Sequence, residues 1–137
     1  MRLVSIALAI TMLGATPALA IEALSPSVLH SEVPAAIGSS DEARICSAVM
    51  AAIAQEMSPH RQSDHVEKSY QGFKLASIIW IQEIARIEAI DASTYMADFL
   101  RADVDAILAL SKSSQGVHMQ RCITRTETLM HQGENAG

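Results

Sequence analysis

The chain has 137 residues, room for one domain of ordinary size. Half of it is hydrophobic, 18% is charged and 4% is aromatic, which excludes a wholly disordered chain, a collagen-like chain and a cysteine-dense mini-protein. The formal net charge of −5 speaks against a general nucleic-acid binder, which needs clustered Lys and Arg to displace counterions from phosphate.

Residues 1–20, MRLVSIALAITMLGATPALA, have the order of an export signal. Arg2 is the positive start, Leu3 to Leu13 are apolar except for Ser5 and Thr11, Gly14 and Pro17 break the helix, and Ala18-Leu19-Ala20 places small residues at −3 and −1. The alternative is a retained anchor, since the uncharged stretch to Ile21 approaches the roughly 20 residues that span a bilayer. Gly14, Pro17 and the lack of a basic stop-transfer cluster favour cleavage after Ala20. Cleavage removes Arg2 and no acid, taking the formal charge from −5 to −6. No later segment is uncharged over a membrane-spanning length, so no stable membrane anchor is expected in the mature chain.

Residues 21–40 hold Pro26, Pro34, Gly38 and several serines without a persistent period, and read as a flexible N-terminal arm whose Leu24, Val28 and Leu29 can dock on the domain. Residues 41–132 read as a helical domain. A first helix is predicted over 41–57, capped by Ser40 or Asp41, with Ile45, Cys46, Val49, Met50, Ile53 and Met57 on one face and Ser58-Pro59 ending it. A second is predicted over 64–90, capped by Ser63 or Asp64, with Val66, Tyr70, Phe73, Trp80, Ile84 and Ile87 in its stripe. A third is predicted over 92–111, capped by Asp91, with Met96, Leu100, Val104, Ile107 and Leu108 inward and Asp98, Arg101 and Asp105 on the solvated side. A fourth is predicted over 114–132, with Met119, Cys122, Ile123, Thr126, Leu129 and Met130 in its stripe. Gly133 is expected to stop it, leaving residues 133–137 as a frayed tail. Four amphipathic helices with short connections give an all-α fold, a small up-down four-helix bundle.

Cys46 and Cys122 fall on the inward faces of the first and last helices, which are neighbours in such a bundle. Export into an oxidising compartment makes a disulfide between them the expected outcome. A redox pair would instead want Cys-x-x-Cys at a helix N-terminus.

No phosphate loop, dinucleotide fingerprint, nucleophile elbow or zinc-protease motif is present, so no catalytic residue is assigned. Glu83 and Asp103 flank their stripes, and Arg86 offers Glu83 a simple ion pair. His60, Asp64 and His65 cluster before the second helix; a polar turn is the preferred reading and a metal site the weaker alternative. The mature chain's five methionines fit the inward stripes, where Met fills core space; no Cys-x-x-Cys-His haem attachment exists, and no cofactor is expected. Ile78-Ile79-Trp80-Ile81 covers every side of a helix, which puts Ile78 and Ile81 away from the core as an interface for a protein partner or second copy.

The sequence therefore predicts a small exported, periplasmic or secreted, non-catalytic binding or interaction protein. Two alternatives stand beside it. One is a metal or haem carrier. The other is an acid-stress chaperone or immunity-type protein, by analogy of size, export and a single cysteine pair; the chaperone reading has the further physical support that five histidines gain charge and fifteen carboxylates lose it by roughly pH 3.

Overall fold

The computed structural model describes residues 24–136. The export signal read at residues 1–20 lies outside the described residues. Among the described residues there are six α-helices and no strand: α1 (Pro26–Leu29), α2 (Ser40–Met57), α3 (Asp64–Glu88), α4 (Ala92–Asp98), α5 (Leu100–Leu108) and α6 (Lys112–Ala136), with a 3-10 turn over Ser58–His60. None of these helices is long and apolar enough to cross a membrane.

The helix starts follow from short side chains that satisfy the first orphan N–H groups. Ser63 caps α3 by accepting from the Val66 N–H at 3.1 Å, as the sequence predicts. At α2 the cap is Ser39 rather than Ser40 or Asp41. Its Oγ accepts from the Glu42 N–H at 3.2 Å, and Glu42 Oε1 reaches back to the Gly38 N–H at 3.1 Å. Ser39-Ser40-Asp41-Glu42 is thus a capping box that reaches one residue further back than usual. Gly38, at φ +83°, turns the arm into it. Asp91 occupies the cap position of α4 without a side-chain cap bond. The last helix starts earlier than predicted, at Lys112, with Ser111 Oγ accepting from the Ser114 N–H at 3.1 Å, and it runs through Gly133 to Ala136. Gly133 has no positive φ, so it ends nothing.

The predicted third helix is two. Phe99, at φ −124° and ψ −33°, interrupts it between α4 and α5. Eight residues of straight helix span about 12 Å. The break folds α4 onto α5 enough for the Tyr95 hydroxyl to donate to Asp103 Oδ2.

Helix α2 is the hub. It packs against α3, α5 and α6, and every residue from Glu42 to Met50 is buried. A helix buried on all sides is usually apolar all round. Here the small residues Ala43, Ser47 and Ala48 admit close neighbours, and the polar groups find partners. No buried side-chain N or O among the described residues lacks a hydrogen bond. Helices α3 and α6 sit further apart and are bridged by Trp80 Nε1, which donates to Thr126 Oγ1 at 2.7 Å. The arm is not loose: Leu24 and Leu29 join the core, Val28 packs on it, and Ser25-Pro26 opens α1 as cap and first residue.

Candidate functional site

Cys46 on α2 and Cys122 on α6 form a disulfide, with Cα atoms 5.2 Å apart. His60, Asp64 and His65 are all exposed, and no group of three His, Cys, Asp or Glu able to hold a metal occurs among the described residues. Glu83 pairs with Arg86 at 2.8 Å on the surface, while Asp103 is buried with a different partner. Met50 is core, but Met96 and Met130 are exposed rather than inward.

Ile78 and Ile81 do not share one exposed face. Ile78 is 40% exposed, whereas Ile81 is 2% exposed and belongs to the core. Ile81 falls on the side of α3 that borders α4 and α5, near Met96 and Leu100. A second helical layer covers what helical geometry alone assigns to solvent.

The densest polar cluster is structural. Arg44 on α2 donates to both oxygens of Asp103 on α5, at 3.0 and 2.8 Å. Tyr95 from α4 donates to the same carboxylate, and Ser47 Oγ lies 3.4 Å from the Tyr95 hydroxyl. Ser77 of α3 donates to the Ser47 carbonyl at 3.0 Å. Burial, reinforced by the Asp103 charge, raises the Tyr95 phenol above its ordinary value. Asp103 is 1% exposed, so no substrate reaches this cluster. It ties four helices together.

A cleft of about 450 Å³ does reach solvent. One wall is the arm from Val28 to Ile37, the floor is Ile45 and Cys46 of α2, and the opposite wall is the polar side of α6. His118 fastens the arm, its Nε2 lying 2.9 Å from the Leu29 carbonyl oxygen. Val33 and Ile37 form an apolar rim, 74% and 75% exposed. Glu42 is engaged on both sides, accepting from Arg125 at 2.8 and 3.2 Å and from the Gly38 N–H. Arg121 also lines the cleft, half-buried, and has no hydrogen bond or ion pair to any described residue.

Comparison with protein-family models, curated proteins and solved structures finds no match for this chain. An apolar concavity with a few convergent polar groups is the usual form of a small-ligand site, and about 450 Å³ falls within the usual range.

Sequence reasoning allowed the arm to dock through Leu24, Val28 and Leu29 but missed this cleft, because it read the arm as otherwise flexible. One signal was left unused: Ser25-Pro26, the signature of a helix start.

Proposed function

We propose that this chain is an exported, non-catalytic binding protein of the periplasm or extracellular space, with the arm-walled cleft as its binding site. In this reading α2, α3, the α4–α5 pair and α6 are the four rods of an up-down bundle. The observation that carries the proposal is the combination in one cleft of apolar walls and a guanidinium without a partner among the described residues. The Cys46–Cys122 disulfide supports the location, because such bonds persist where the surroundings oxidise thiols. Binding is favoured over catalysis because Glu42, the one acid among the described residues that line the cleft, is held by Arg125 and Gly38 and is not left to act as a base. A protein partner on α3 has less support, since Ile81 leaves that face and Leu75 and Ile78 remain.

Titration with a neutral fluorescent probe such as N-phenylnaphthylamine tests the site. One probe per chain should brighten on the folded protein, and Thr124→Trp, which fills the cleft from α6, should abolish the signal. A probe that stays dim, or that binds Thr124→Trp equally well, overturns the assignment. Intact mass of the exported protein should correspond to a chain beginning at Ile21; a chain retaining residues 1–20 in the membrane fraction overturns the location.

A further inference from the structure

We propose that the cleft takes a small single-chain amphiphile with one anionic head, of the chemical class of a medium-chain carboxylate, with the head on Arg121 and the chain along the apolar wall. This rests on the cleft being a binding site and adds the ligand's chemistry.

Charge carries the first half of the argument. Of the groups lining the cleft, Glu42 and Arg125 satisfy each other, and His118 Nε2 is committed to the Leu29 carbonyl. Arg121 remains. Its neighbours on α6 at the three- and four-residue spacing are Val117, His118, Thr124 and Arg125, so no acid of its own helix stands where a helical ion pair forms. A guanidinium offers five N–H donors in a planar fork that fits a carboxylate with two parallel bonds. Half-buried, Arg121 favours an anion more than a fully solvated arginine does.

Shape and polarity carry the second half. Val28, Val33, Ile37 and Ile45 give the cleft an apolar lining, and among the described residues Val33 and Ile37 stay largely exposed at the rim. An acyl chain removes that surface from water without needing hydrogen bonds. A polar metabolite of the same charge leaves it wet, and a peptide needs a partner for each backbone N–H and C=O that it buries. One cation without a partner among the described residues, beside apolar walls, matches one head on one chain.

The test is calorimetric titration of the mature chain with dodecanoate, with dodecanol as the neutral ligand of equal chain length, and with butyrate as the head with little chain. All are held below the concentration at which they form micelles. Dodecanoate is expected to bind once per chain, about 10- to 100-fold more tightly than dodecanol, the margin of a hydrogen bond to a charged group. Arg121→Gln should remove that margin while leaving dodecanol affinity unchanged, and Arg121→Lys should restore part of it. Butyrate should bind far more weakly than dodecanoate. Equal affinity for dodecanoate and dodecanol, or an Arg121→Gln protein that still prefers dodecanoate, overturns the anionic head and leaves the cleft a binding site. Butyrate as tight as dodecanoate overturns the role of the apolar wall. Failure of both long-chain ligands to bind overturns this inference and the cleft as a binding site together. The comparison of the two long-chain ligands on the unaltered protein does not depend on how any variant folds.

Discussion

Ala89 closes α3 at φ 54°, the left-handed region that a Cβ disfavours by roughly 1–2 kcal/mol. The backbone there makes the bond typical of a left-handed helix end, from the Ile90 N–H to the Ala85 carbonyl at 3.1 Å. Glycine is the usual residue at such a position. Ala89→Gly is expected to stabilise the protein by about 0.5–1 kcal/mol, the relief of strain exceeding the entropy that glycine loses on folding. Urea unfolding checks this, and a lowered midpoint contradicts it. Tyr95 gives a second residue-scale expectation. Burial and the Asp103 charge favour its neutral form, so its folded pKa lies above the unfolded value. The stabilisation is complete below about pH 10 and is lost as pH rises beyond it, because the unfolded chain releases the proton first. In a Tyr70→Phe protein, phenolate absorbance should appear only together with loss of helical circular dichroism. Phenolate forming while the helices stay intact contradicts the buried placement.

At the scale of elements, the Arg44–Asp103 pair fixes how α5 lies on α2. Both side chains are nearly inaccessible, and breaking one partner of such a pair strands a charge. Asp103→Leu is expected to cost about 3–5 kcal/mol, whereas Arg44→Met with Asp103→Leu should recover most of the loss, as apolar replacements of buried pairs commonly do. Thermal unfolding of the two single variants and the double variant measures the coupling; a double variant as unstable as Asp103→Leu shows that the pair is not the cause. This tie was poorly legible in the sequence. Arg44 lies among apolar residues that mark α2 as amphipathic, and helical periodicity assigns a charged side chain to the solvent side. The break at Phe99 was equally hidden, because no glycine or proline marks it and its cause is tertiary. By contrast, Ser63 with the run after it, and Ser58-Pro59 at the end of α2, act through local backbone chemistry and were readable directly.

For the molecule as a whole, the disulfide joins positions 76 apart and links the hub to the last helix. The chain-entropy model gives about 4.5 kcal/mol from limiting the unfolded ensemble of a loop this long. Reduction, or Cys46→Ala with Cys122→Ala, is expected to lower stability by roughly 2–5 kcal/mol, which denaturant unfolding with and without reductant measures. An unchanged midpoint contradicts it. The pairing was legible because both cysteines fall on apolar stripes and the chain holds no other cysteine. The hub role of α2 was not. Four stripes of similar strength suggest four equal rods, and only the all-round burial of residues 42–50 shows that α2 carries the other helices. The candidate site was less legible still, since its walls come from an arm and a helix about ninety residues apart that pattern reading treats separately.

The single cysteine pair also simplifies assembly. A chain with more cysteines explores wrong partners and needs an isomerase to sort them; two cysteines allow one intramolecular pairing. Yet Cys46 lies on the hub and its partner on a separate helix, so until α6 docks Cys46 is unpaired and the α6-facing side of α2 is uncovered. During that interval the competing reaction is with a second chain. Crowded oxidative production should therefore yield disulfide-linked dimers, and dilution or delayed oxidation should yield monomers, with no need for a shuffling catalyst.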